Sequence, residues 1–289
     1  MKPFLLFIAF LFVFQTSFAQ EDSADKKTAT VGFNLSYLSN SVYLGRKDSS
    51  TISYLTPGLR YSTPSGFFVA AGASFLTQEN RIDLISLEAG YEFSKKNLEG
   101  GLTVYQSFYS SQSENVKAEL NTSLDAYAGY LFPFIKPVIS GSISLGSSNP
   151  DYTASFGLEH SFATNDETFY FTPKVFVNAS SQNYYDSYYQ KRTHGKKRGT
   201  ASVTNITQSL AGSKFKVMDF ELTGAAEYKA GDFSFSFEPV YAIPVNPNVI
   251  VTTVKPQSGP STTKTVTETL NNSFYFTLGV SYNLNLKKH

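Results

Sequence analysis

With 289 residues, the chain is long enough for one large domain or two ordinary ones, and 24 basic against 23 acidic side chains exclude recognition of nucleic acid by bulk charge. Aromatic content of 16 % (19 Tyr, 26 Phe, no Trp) is high and charged content of 16 % is low, yet mean hydropathy is slightly negative, which excludes a bundle of apolar helices. Hydrophobicity spent on alternate residues gives this combination. The absence of cysteine excludes disulfides and a lipidated cysteine anchor.

Residues 1–19 read as a secretory signal peptide. Lys2 supplies the positive start, 4–14 an apolar run too short to span a bilayer as a helix, and Ser17-Phe18-Ala19 a small-x-small cleavage site. The following Gln20 resembles the start of mature chains exported by Bacteroidota-type Gram-negative bacteria. No later run of 18 apolar residues occurs, so an exported chain of this kind is periplasmic, secreted or a barrel. Residues 20–29 are expected to be a charged, flexible segment, and 30–289 the folded domain.

From Val31 the sequence alternates almost without a break, the pattern of strands with one apolar and one polar face. Strands are expected at 30–44 (Val31, Phe33, Leu35 and Tyr37 on one face), 52–62, 66–76, 82–94 (Ile85, Leu87, Ala89, Tyr91 and Phe93 against Ser86, Glu88, Gly90 and Glu92) and 98–109. They continue at 119–132 (Leu120, Leu124 and Ala126 together), 135–146, 152–162, 168–179, 217–228 and 233–242. With the terminal strand the count is twelve, with ten or fourteen as alternatives. The connections sort by length. Every second one is short, namely Thr63-Pro64-Ser65, 95–97, Pro133-Phe134, 163–167 and 229–232, while 110–118, 180–216 and 243–271 fall on the other side. A soluble sandwich has no reason to separate them, and an even count returns both termini to the periplasm. Pro57, Pro137, Pro173 and Pro239 argue the other way, because proline removes a ladder donor. They are expected at bulges or strand ends.

The last strand, 274–286, alternates Phe274, Phe276, Leu278, Val280, Tyr282, Leu284 and Leu286 with polar residues over a length that suits a tilted membrane strand. Its Thr277-x-Gly279-x-x-Tyr282-x-Leu284 resembles the C-terminal signal of outer-membrane barrels, although here Lys287, Lys288 and His289 follow Leu286. The whole mature chain resembles an outer-membrane β-barrel protein of the Bacteroidota, porin-like type. That resemblance implies an all-β, transmembrane, antiparallel up-and-down β-barrel in the cell outer membrane, with Gly279, Tyr282 and Leu284 presented to the barrel assembly machinery. Closure is also what lipid demands of an all-strand chain. The remaining alternative is a secreted β-sandwich or solenoid.

If the apolar face meets lipid, the other face lines a lumen. It collects the acids Glu88, Glu92, Glu99, Asp125, Glu159, Asp219, Glu221, Glu227 and Glu238 against the bases Arg60, Lys136 and Lys174. The surplus predicts a passive small-solute channel favouring cations if water passes. An internal ion-pair network filling a closed barrel is the competing expectation, and twelve strands admit either. Such a barrel would present its long loops to lipopolysaccharide or another envelope protein. The 180–216 loop carries Tyr184, Tyr185, Tyr188 and Tyr189 and the basic residues Lys191, Arg192, Lys196, Lys197 and Arg198, suited to lipid phosphates or simply to solvent. The 243–271 loop is expected as a hairpin above the membrane or folded over the lumen.

The three histidines offer little chemistry. His160 in Leu158-Glu159-His160-Ser161 has its serine on the opposite face, so a belt position suits it better than a phospholipase dyad, and His194 has only Asp186 as a partner. No metal-ligand cluster, phosphate-cradling glycine loop or cofactor motif is present in the sequence, and no enzyme is expected.

Overall fold

Once neighbouring strands of this pattern pair, the sheet still has two edges with unpaired backbone groups, and the chain resolves this by closing with its apolar face outward. The computed structural model describes residues 28–47, 51–113, 115, 117, 120–146, 149–184, 203–210, 215–256 and 260–286. The expected signal peptide and the basic run 191–198 lie outside them.

The strands are β1 (Ala29–Leu38), β2 (Val42–Tyr43), β3 (Arg46–Lys47), β4 (Tyr54–Ser62), β5 (Phe67–Leu76), β6 (Arg81–Lys95), β7 (Leu98–Tyr109), β8 (Leu120–Tyr130) and β9 (Lys136–Gly146). They continue with β10 (Asp151–Glu159), β11 (Phe162–Ala163), β12 (Phe169–Ser180), β13 (Val203–Leu210), β14 (Lys216–Ala230), β15 (Phe233–Pro244), β16 (Val249–Pro256), β17 (Thr262–Thr267) and β18 (Ser273–Leu286). The main sheet has 13 strands, and removing the two-residue β11 leaves twelve staves. Each pairs antiparallel with its neighbours in chain order, and the ring is shut by β1 on β18. This is an all-β, closed up-and-down barrel.

Ala29 pairs with Leu286, so both described chain ends lie at one end of the barrel, here called the terminal end. The long connections lie at the other, the loop end. Two of them share a second sheet, β13-β16-β17, so a hairpin forms within the 243–271 connection, pairing Val249 with Thr267, and gains a strand from the 180–216 loop.

The outward alternate positions are large and apolar. Phe33, Leu35, Ile85, Leu87, Phe156 and Val280 are among many such side chains exposed around the circumference. At the terminal end the belt becomes aromatic, with rings of Phe67 and Tyr91 4.9 Å apart and of Phe233 and Tyr282 4.9 Å apart. Apolar staves with aromatic rims are the surface lipid selects.

Three expectations need correction. The first strand ends at Leu38 rather than 44, because β2 and β3 form a separate hairpin. Leu120 is buried rather than outward with Leu124, since the register between β8 and β9 shifts between Leu120 and Thr122. Of the prolines, Pro137 is at a strand end as expected, being the second residue of β9, but none is at a bulge. Pro57 and Pro239 sit mid-strand, each with a two-residue gap in one ladder and no change of register, and Pro173, inside β12, lies where its ladder with β10 ends. A stave with two neighbours keeps pairing on one side where proline has no donor for the other. In addition, β10 ends at Glu159, so the connection around 163–167 runs from 160 to 168 and contains β11.

Candidate pore and its loop-built plug

Inside, the two ends of the barrel differ. At the loop end the lumen is packed. Connection 39–53 folds inward as the β2–β3 hairpin, turning on Leu44 and Gly45 with positive φ of 50° and 72°. Gly45 is required there twice over, because an added Cβ would also lie 2.8 Å from Asp219 Cβ. The Arg46 side chain, 6 % exposed, donates to the carbonyls of Leu44 (3.0 Å), Met218 (3.1 Å), Val245 (3.1 Å) and Asn246 (3.1 Å), and its Nε lies 3.2 Å from Glu268 Oε2. One side chain thereby ties the hairpin to β14 and to the connection that carries β16 and β17.

Other loops meet the hairpin. The Tyr43 ring packs edge-on against Tyr184 at 5.5 Å, with the Lys117 Nζ 4.8 Å from its centroid. Asn115 donates to Ser41 Oγ (3.1 Å) and to the Tyr54 hydroxyl (3.2 Å), while Tyr54 donates to Asp83 (2.6 Å). Leu38, Ile52, Tyr54 and Leu76 form an apolar cluster inside the loop end, with Tyr275 against it. Asp151 on β10 holds the start of the 181–184 segment, accepting from Ser181 Oγ (2.7 Å), Asn183 N (2.7 Å) and Tyr184 N (2.8 Å). The register shifts in β5–β6, β8–β9 and β12–β14 all fall at this end and help bury Asp83, Leu120 and Met218 beneath the plug.

Towards the terminal end one wall is thin. On β1, β4, β5 and β18 the inward positions include Gly32, Gly58, Gly72 and Gly279, each covered by a short polar side chain from a neighbouring stave: Asn283, Asn34, Ser86 and Ser236 respectively. A Cβ on Gly32 would approach Asn283 Oδ1 to 2.9 Å, so these amides and hydroxyls lie flat over the glycines. The opposite wall bears the bulk. Tyr170, Thr172, Lys174 and Glu159 are all buried there. The lumen is therefore eccentric, with little bulk at the glycines of one wall, more on the other, and loops closing it above.

All three sequence-predicted bases pair with predicted acids. Arg60 on β4 lies 2.6 Å from Glu92 and stacks 3.6 Å over Phe68. Lys136 on β9 bridges Glu99 (2.6 Å) and Glu159 (2.5 Å), and Lys174 on β12 reaches Glu238 at 3.6 Å. Asp125 accepts from Ser123 Oγ (2.7 Å), Glu227 from Ser234 Oγ (2.9 Å) and Glu221 from the Tyr275 hydroxyl (3.1 Å). No ion pair among the described residues involves Glu88, Asp125, Asp219, Glu221 or Glu227.

Of the remaining candidates, Gly279 faces inward on β18, Tyr282 packs on Phe233 and Leu284 is exposed on the apolar belt. His160 and Ser161 are not brought together as a dyad: the imidazole packs edge-on against Phe162 at 4.6 Å, and the Ser161 hydroxyl bonds that of Thr172 (2.8 Å). Lys191, Arg192, Lys196, Lys197 and Arg198, with Asp186 and His194, lie outside the described residues. Sequence reading missed Arg46, Lys117, Asp151 and Glu268. Only Arg46 left a trace, as a base inside the otherwise apolar Val42-Tyr43-Leu44-Gly45-Arg46.

Closed, twelve-stranded, apolar outside and polar within, the chain is a membrane-type β-barrel whose lumen is capped by its own loops. No family model matches the chain, and no curated protein matches it. Among solved structures it is similar to the NanC porin (11 % identity, TM-score 0.47, covering 88 % of this chain and 100 % of that one) and the KdgM porin (8 %, 0.43, 88 % and 98 %). It is also similar to an outer membrane channel from Pseudomonas putida F1 (12 %, 0.38, 92 % and 100 %). The barrel itself is defined by the strand pairing above.

Proposed function

We propose that this protein is a non-enzymatic outer-membrane channel of the Bacteroidota type for small solutes, with its termini in the periplasm and the β2–β3 hairpin closing the outer mouth. One observation carries the reading: the space is left by the barrel wall and filled by a loop. A barrel serving only as an anchor fills its lumen with stave side chains. Here Gly32, Gly58, Gly72 and Gly279 give one wall little bulk, and the mouth above it is closed by an inserted hairpin that is not part of any stave. Nine acids against three bases on the inward faces of the staves support a preference for cations, because net wall charge sets selectivity.

The test is conductance of the folded protein in planar bilayers, compared with a variant whose residues 42–47 are replaced by a Gly-Ser linker. Steady, cation-preferring steps in the variant, with smaller or rarer ones in the parent, are expected. Loss of preference on neutralising Glu88, Asp125 and Glu221 would tie it to the wall. Silence in both folded proteins would refute the channel and leave the second reading, favoured by the hydrogen bonds and ion pair that seat Arg46 in the plug. In that reading a closed barrel offers its loops, including Lys191 to Arg198, to lipopolysaccharide or an envelope protein.

A further inference from the structure

The turns at the terminal end are not alike. Four carry polar side chains at their tips: Thr63 and Ser65, Lys96 and Asn97, Asp166 and Glu167, and Asp232. The fifth, between β8 and β9, reads Leu131-Phe132-Pro133-Phe134-Ile135 and has none. Its backbone is a tight reversal, with Phe132 N donating to Ile135 O (2.9 Å) and Leu131 N donating to Asn97 O in the next turn (2.8 Å). Pro133 presets the bend and Phe134 is thrown outward. It is 86 % exposed, more than any other large apolar side chain among the described residues, and Leu131 and Phe132 are both about half exposed although they have opposite parity.

Three apolar side chains pointing several ways from a tip have no wall to cover them, and a contiguous apolar patch of this kind marks a contact. Its surroundings identify the occupant. The patch runs without interruption into the apolar belt, since the Phe132 ring lies 4.7 Å from Tyr130, which pairs in register with the outward Leu98. Its five residues themselves carry no polar side chain with which to satisfy a protein partner's hydrogen bonds. We infer that residues 131–135 anchor the barrel in the lipid leaflet at the terminal end, with Phe134 inserted among headgroups and acyl chains. The β8–β9 corner is then the part of that rim most deeply seated in the membrane, while the polar turns beside it stay in water.

The chain has no tryptophan, so Phe134→Trp gives a single tryptophan, excited selectively at the red edge beyond the absorption of the 19 tyrosines. The folded protein, verified by heat-modifiable gel mobility, is placed in phosphatidylcholine vesicles with and without brominated acyl chains. Phe156→Trp on the belt and Ser65→Trp on a polar turn serve as lipid and water references. The expected result is emission shifted to the blue of Ser65→Trp and a loss of intensity with brominated lipid comparable to that of Phe156→Trp. Emission and quenching matching Ser65→Trp would overturn the anchor. Shielding from aqueous iodide without quenching by brominated lipid would also overturn it, and would indicate contact with a second protein chain. Leu131→Trp, in the same turn, answers the same question if Phe134→Trp does not fold.

Discussion

Arg46 Nε stands 3.2 Å from Glu268 Oε2, an ion pair between residues 222 positions apart that joins the first loop-end connection to the last. Four carbonyls complete the guanidinium's partners, so truncation leaves both an unpaired acid and orphaned acceptors. Loss of such a buried partner costs about 3–5 kcal/mol. Arg46→Ala is expected to unseat the hairpin and raise single-channel conductance while the barrel remains heat-modifiable. Glu268→Gln should do less, because the carbonyl contacts persist. Conductance unchanged in Arg46→Ala would show that the hairpin does not obstruct the path.

Asp151 should control the neighbouring segment. Its carboxylate accepts from two backbone N–H groups and one hydroxyl, and an asparagine at this site replaces one acceptor oxygen with a donor. A charge-assisted hydrogen bond contributes about 1.5–3 kcal/mol, enough for roughly tenfold or more in a local opening equilibrium. In Asp151→Asn, hydrogen exchange at the amides of Asn183 and Tyr184 is therefore expected to accelerate by about that factor, with exchange in β7 unaffected. Equal protection in both proteins would mean that packing of Tyr184 on Tyr43, not the carboxylate, holds the segment.

Lys117 makes the plug sensitive to pH. Burial in connection 110–119 pushes its amine down to about 7, outweighing Glu221, which acts in the opposite direction. The folded value lies below the ordinary lysine range, so between the two the unseated loop binds more protons and seating strengthens as pH rises. The penalty for burying the charged amine is complete below about pH 7. Tyr43, 4.8 Å from Nζ, softens this by favouring the cation. Conductance is expected to be greater at pH 6 than at pH 9, and Lys117→Met should flatten the profile. A flat profile in the parent protein would exclude the effect.

The staves could be read in the sequence because lipid outside and polar groups inside impose a period of two on every strand; β7 begins and ends at the expected residues, 98 and 109. The ion pairs of Arg60, Lys136 and Lys174 also followed from alternation, which put acids and bases on one face, although it gave no partner for each. The plug was hidden for a physical reason. Apolar residues switch from odd positions (Phe33, Leu35, Tyr37) to even ones (Leu38, Val42, Leu44), a break in phase that marks the end of β1, but the partners that Arg46 reaches across the barrel lie some 170–220 residues away. Arg46 bonds backbone carbonyls, which carry no residue identity, so no pattern of side chains announces the contact. The bulges are equally silent in the sequence: proline, which suits a bulge or a strand end, marks none of them, and they occur at the loop end, where Asp83, Leu120 and Met218 turn inward.

Lys136 offers the sharpest test of the interior network. Its Nζ lies 2.6 Å from Glu99 Oε1 and 2.5 Å from Glu159 Oε1, yet the two acids stand in different surroundings, with side chains 32 % and 1 % exposed. Glu99 can recover solvent if the lysine is removed, whereas Glu159 is left as a buried, unpaired charge. Lys136→Met should therefore destabilise the barrel by about 3–5 kcal/mol, read as a lower urea midpoint for unfolding from lipid vesicles. Adding Glu159→Gln to Lys136→Met should restore much of the loss, because a neutral amide tolerates that site better than a stranded carboxylate. Adding Glu99→Gln instead should restore little. Equal rescue by the two second substitutions would mean that both acids share the same solvent access, and the asymmetry of the lumen walls would fail with it.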